Sequence, residues 1–288
     1  MLKKKNLDMN EFECCKEFYL LEKEYRLLID ELTENQDKYE CYKGWIWLQS
    51  KLIYQPDILF VGINPNYGKN WNQNVFHFPD VGERPPVFFE DNNARYNKNR
   101  FENKREPTHW FEFSEHSNNS FSKQIVDIVR GCAEKLYPNE SECINESKMP
   151  RWAETFGKKI SFINLYPIAT DNFNNLLSLL NKFIGNTLFP NSDNLSRKKQ
   201  RWNIRKFFID KTVTLIDLVK PKLIVCLGGR AYHDLTEDGE KIRKNHQRLY
   251  LDSECKFINP KFKKVIGMDR SGKWPVNALV DEIVCRLK

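Results

Sequence analysis

The chain has 288 residues, enough for one large domain or two small ones, and no Gly/Ser-rich or Pro-rich stretch separates two. Lys and Arg outnumber Asp and Glu by 46 to 39, a net charge of +7, so what matters is where that modest excess clusters. No apolar run is long enough to span a bilayer and no apolar segment follows Lys3-Lys4-Lys5, so the expectation is a soluble, cytoplasmic protein with no membrane partner.

Residues 10–33 carry Phe12, Tyr19, Leu20, Tyr25, Leu28, Ile29 and Leu32 at spacings of three and four among Glu and Lys, which predicts a helix. Residues 1–50 then form an N-terminal helical extension, with Trp45-Ile46-Trp47-Leu48 as a short strand or packed connector. Residues 51–288 form the main domain. The run Pro56-Asp57-Ile58-Leu59-Phe60-Val61-Gly62 is apolar on both parities, as in a strand buried on both faces of a parallel sheet. Residues 79–120 are polar but studded with aromatics such as Phe88, Tyr96 and Trp110. A loop of that length in a compact domain is functional or disordered.

Ser120 opens a helix carrying Ile125, Ile128, Val129 and Leu136. A second central strand follows at 159–165, and an apolar helix at 176–184 is closed by Gly185-Asn186. Residues 197–219 read as a helix that is basic at its start and apolar toward Val219, ended by Pro221. Leu223 to Leu227 is a third strand, turned by Gly228-Gly229 into a short helix. Residues 264–268 are a fourth strand and 275–287 the closing helix. This layering predicts a three-layer α/β/α domain on a central, mostly parallel four-stranded sheet. Ligands of such sheets sit beyond the carboxyl ends of the strands, here Asn64-Pro65, Asn164, Gly228-Gly229 and Asp269-Arg270-Ser271.

Several chemistries find no support. The eight cysteines, at 14, 15, 41, 132, 143, 226, 255 and 285, include no C-x-x-C pair, and Cys226 and Cys285 read as core. His109 and His116 are a loose pair in a loop, so no metal and no other cofactor is expected. Gly62 to Lys69 has five residues between its glycines and Asn70 after the Lys, unlike a phosphate-binding loop. Gly228-Gly229-Arg230 lacks the spaced glycines of a dinucleotide site, and no G-x-S-x-G turn offers a nucleophile.

What remains is a strand ending in Gly62-Ile63-Asn64-Pro65-Asn66. This resembles the first active-site motif of the uracil-DNA glycosylase superfamily, nearest to its mismatch-specific uracil/thymine branch. Three further segments follow in the family's order: Ser161 to Leu165 resembles the strand ending in a base-reading Asn, and Lys220 to Gly228 with Ala231-Tyr232 resembles its Pro–strand–Gly segment. Asp269-Arg270-Ser271-Gly272 stands where the family carries an Asn- or His-Pro-Ser turn. The likeness covers roughly 56–78 and 120–287.

The resemblance implies a uracil-DNA glycosylase-like fold and a glycosylase that acts on DNA, flipping a base into a pocket and hydrolysing its N-glycosidic bond. With no Lys placed as a Schiff-base nucleophile, a monofunctional enzyme is expected, as is a monomer. By carry-over, Asn64 holds the attacking water through its side-chain oxygen. Gly62, Ile63 and Pro65 shape the pocket, Phe76 or Phe78 stacks on the base, and Asn164 reads its edge. Ser271 holds a phosphate, and the backbone of 269–272 supports the developing charge. Asp269 replaces the family's leaving-group helper and suits a hydrogen bond from an exocyclic amine, hence a cytosine-derived base, as in modified phage DNA attacked in antiviral defence. Lys273 stands where the family has an apolar wedge, leaving that role to Trp274 or Arg270, with Gly272 in the same turn. Arg197, Lys198 and Arg201 are the expected phosphate contacts.

The alternatives are a uracil-excising repair enzyme, a catalytically silent nucleic-acid-binding relative, or a hydrolase of free nucleosides. Taken singly, Asn64-Pro65 also reads as an ordinary turn, Phe76 and Phe78 as core, and the basic helix as a solvated face.

Overall fold

The computed structural model describes residues 16–35, 37–45, 47, 53–64, 120–138, 156–184, 188–189, 195–236, 249–251, 265–269 and 274–288. In chain order the elements are α1 (Lys16–Glu34), β1 (Gly44–Trp45), β2 (Ile58–Gly62), α2 (Ser120–Leu136), β3 (Ile160–Asn164), β4 (Ile168–Ala169) and α3 (Phe173–Asn181). They continue with α4 (Arg197–Val219), β5 (Leu223–Leu227), α5 (Gly229–Leu235), β6 (Leu249–Leu251), β7 (Val265–Met268) and α6 (Val276–Leu287).

The main sheet has the order β3-β2-β5-β7-β6. Every residue of β2 is buried, which its unbroken apolar run requires. It pairs in parallel with β3, from Ile58 opposite Ile160 to Gly62 opposite Asn164, and with β5, from Ile58 opposite Leu223 to Gly62 opposite Leu227. β7 continues the parallel set beside β5. The sheet is five-stranded rather than four-stranded, because β6 pairs antiparallel along β7. Three residues are too few to show a period in the sequence. The Trp45 segment forms β1, which pairs antiparallel with β4.

Alternate residues of the strands face opposite helical layers. Leu59, Val61, Ile163, Ile224, Cys226 and Val265 pack with α1, α3, α4 and α5. Ile58, Phe60, Phe162, Val225 and Ile266 pack with α2 and α6. α1 is a full member of the first layer: Tyr25 is buried against Trp45 and Trp47, with ring centroids 5.1 and 4.6 Å away. Each buried side chain of this size contributes about 1.5–3 kcal/mol. On the second layer, Gly131 lets α2 and α6 approach closely, since a Cβ there would lie 3.1 Å from Val280 Cγ2.

α3 begins at Phe173, earlier than the apolar pattern alone indicates. Its N-cap is Asn172, whose side chain accepts from the Asn175 N–H at 2.9 Å. α4 ends at Lys220, which takes the left-handed conformation (φ 54°) and donates its N–H to the Ile216 carbonyl before Pro221 stops the helix. Cys226 is core, but Cys285 is exposed on α6, because its position falls off the stripe of Leu279, Val280, Ile283 and Val284. Among the described residues no helix is long and apolar enough to cross a membrane.

Candidate active site at the carboxyl edge of the sheet

The chain leaves β2 for β3 on one side and returns to β5 on the other, so the order of connection reverses between β2 and β5. In open parallel sheets the crevice at such a reversal, beyond the carboxyl ends of the strands, is where ligands bind. Gly62, Ile63 and Asn64 form one lip of it, and Gly228 (φ 132°) with Gly229 forms the other.

Gly62 is a glycine because of close approach. A Cβ on it would lie 2.8 Å from Asn164 Oδ1 and 3.1 Å from the Phe162 ring. The Asn164 carboxamide is therefore folded over the end of β2, on the face covered by α2 and α6. Asn164 is almost fully buried, and its backbone N–H donates to the Trp47 carbonyl at 2.7 Å. Past the strand ends the two segments stay together: the N–H groups of Leu165 and Tyr166 donate to the Gly62 and Ile63 carbonyls, each at 2.8 Å.

Asn64 follows directly. Its Nδ2 donates to Thr170 Oγ1 at 3.2 Å, and Thr170 Oγ1 donates to the Asn172 carbonyl at 2.8 Å. Asn64 is half-buried while Thr170 is fully buried. Asp269 follows the last residue of β7 at the same edge and is also half-buried.

α4 supplies the charge. The Gln55 N–H donates to the Val219 carbonyl just ahead of β2, so the helix ends at the amino edge of the sheet and starts at the carboxyl edge. Its 23 residues span about 34 Å against about 17 Å for a five-residue strand, so the basic turns overhang the strand ends. Arg197, Lys198, Lys199 and Arg201 are exposed there, with no acidic residue in the first turn and no side-chain cap from Ser196. Cations at the positive end of a helix dipole are unfavourable, by about 0.3–1 kcal/mol each.

A buried ionic cluster absent from the sequence reading joins α4 to the site. Tyr166 Oη donates to Asp234 Oδ2 at 2.6 Å and accepts from Arg205 Nε at 3.0 Å, while Arg205 also pairs with Asp234 Oδ1. Burial pushes the Tyr166 hydroxyl pKa well up, so it stays protonated. Burial works against the charge on Arg205, but Tyr166 and Asp234 outweigh it and raise the guanidinium further. Arg205 also lies over the Trp202 ring (5.0 Å), and Arg230 over the Phe173 ring (5.5 Å), two separate cation–π pairs. Nothing in the sequence singles out Asp234, which stands beside His233 in the short mixed helix Gly229–Leu235.

Of the other predicted residues, Trp274 is only 7% exposed and packs edge-on against Phe121 at 5.4 Å, a core position in place of an exposed wedge. Pro65, Phe76, Phe78, Arg270, Ser271, Gly272 and Lys273, with the aromatic-rich loop before Ser120 and His109 and His116, lie outside the described residues. Among the described residues no group of three or more His, Cys, Asp or Glu side chains is arranged to hold a metal ion. Burial pushes the Cys132 thiol up to about 12 and Cys226 higher still, which makes both poor nucleophiles near neutral pH. No family model matches the chain, and no curated protein matches it.

Proposed function

We propose that the chain is a DNA glycosylase, with the three-layer fold of the uracil-DNA glycosylase superfamily, that flips a base out of DNA and hydrolyses its N-glycosidic bond. The observation that carries this reading is the pairing of Gly62 with Asn164 on adjacent parallel strands, with the Asn164 carboxamide folded over Gly62. The segments resembling the family's first motif and its base-reading strand are thus neighbours, and Asn64 is anchored just beyond them.

In this reading the C1′–N bond breaks with its electron pair leaving on the base, and positive charge develops on the sugar. Water adds to C1′, and the proton it loses passes through solvent to the departed base anion, which leaves as the neutral base. Asn64 cannot take up that proton, so it orients the water by accepting a hydrogen bond, and most of the rate comes from positioning and base departure. Asn164 offers both donor and acceptor to the edge of the flipped base. Arg197, Lys198 and Arg201 neutralise phosphates, which dominates affinity for DNA. Phe76 or Phe78 stacks on the base, and Ser271 with the 269–272 turn grips the backbone. Asp269 accepts from an exocyclic amine, which makes a cytosine-derived base, such as one modified in phage DNA, the substrate class.

Asn64→Ala tests the assignment. The variant is expected to lose alkali-sensitive strand scission by at least about a hundredfold while binding DNA nearly as well as the parent. A second reading, a silent DNA-binding relative, is favoured only by Asp269 standing where the family has a leaving-group helper. Under it neither protein cuts, and both bind alike.

A further inference from the structure

We infer that Thr170 sets which way the Asn64 carboxamide faces, a positioning role that rests on the glycosylase reading of Asn64. Proton count fixes the direction of the contact. A threonine hydroxyl carries a single proton, and that of Thr170 is spent on the Asn172 carbonyl, which can only accept. Toward Asn64 the hydroxyl can therefore only accept, so the atom 3.2 Å from it must be the amide nitrogen. The oxygen of Asn64 is turned to the opposite side of its amide, the orientation in which it can accept from a water.

The residue that carries the hydroxyl is held in place. Thr170 is fully buried, and its preceding residue Ala169 pairs with Gly44 in β1 and accepts from the Lys43 N–H at 2.9 Å. Two residues on, Asn172 is held as the N-cap of α3. The same count accounts for the identity of residue 64. An aspartate would compete with the Asn172 carbonyl for the single hydroxyl proton and leave one acceptor without it, whereas an asparagine supplies a second proton.

The test uses the full chain, labelled with ¹⁵N-asparagine, as wild type, Thr170→Ser, Thr170→Val and Thr170→Ala. The Asn64 side-chain signals are identified by their disappearance in Asn64→Ala. In wild type and T170S these amide protons should be protected from solvent exchange, and in whichever of T170V and T170A folds they should lose protection. Single-turnover base release should fall roughly 10- to 100-fold in T170V and T170A, recover in T170S, and leave DNA affinity within about twofold throughout. Unchanged Asn64 signals in the variants without a hydroxyl overturn the inference, and so does an unchanged release rate when the signals do shift. If the signals respond as expected but the wild type releases no base from any DNA, the glycosylase reading falls while the Thr170–Asn64 contact stands.

Discussion

At the carboxyl edge of β2, side-chain identity is dictated by space and proton count. Gly62 does not occupy a left-handed conformation, so its lack of a side chain serves the approach of Asn164 and Phe162. Gly62→Ala should leave the fold intact, since the added methyl meets an amide that can shift. The overpacking should cost about 1–3 kcal/mol. The Asn164 carboxamide must move to relieve it, so base release should fall more than stability does. Thermal unfolding beside single-turnover kinetics separates the two; loss of stability with unchanged kinetics would remove Asn164 from the site. Asn64 and Asn164 are both named by their place at the ends of apolar runs. Thr170 is not legible in that way, because its partner lies 106 residues away and a lone Thr after a two-residue strand carries no pattern.

Among the elements, α4 would, under the proposed DNA-binding role, set stability against binding. Its first two turns hold cations where the helix dipole favours anions, and its later turns bury Ile204, Phe208, Ile209, Leu215, Ile216 and Val219 in the core. Replacing Arg197, Lys198 and Arg201 together by Glu should raise stability, by roughly 0.3–1 kcal/mol at each of the two first-turn sites, Arg197 and Lys198, because acidic residues suit a helix start. The same triple change should weaken DNA binding uniformly across sequences and flatten its salt dependence by about three contacts. Fluorescence anisotropy across a salt series, set beside thermal melts, reads both. Unchanged affinity and salt dependence would mean that the basic start of α4 meets solvent and not phosphate, whatever the change in stability. The cluster of Tyr166, Arg205 and Asp234 binds α4 to the strand ends, and removing either charged partner of such a buried pair costs about 3–5 kcal/mol. Its members come from three segments, so no local spacing announces it.

Across the whole molecule, the four parallel strands are legible because each is a short apolar run bounded by turn residues, a pattern that burial on both faces enforces. The longer helices are legible from their apolar spacing and caps. β1, β4 and β6 have two or three residues each and depend on partners distant in sequence, so their existence is a tertiary fact. The order of the strands is likewise tertiary, and it is what sets β2 between β3 and β5 and gathers Asn64, Asn164 and the Gly228 turn at one edge. That gathering, with the overhanging basic helix, underlies the reading of a base-excising enzyme.

The most direct test is to incubate the protein with uracil-containing DNA and with DNAs from several phages, including ones bearing modified cytosines, and to identify released bases by mass spectrometry. The expected result is a free cytosine-derived base, released by the wild type and absent with Asn64→Ala. Release of uracil but no modified base would contradict the assignment of Asp269 and the substrate class. Release of no base from any of these DNAs, by a protein that still binds them, would contradict the account as a whole.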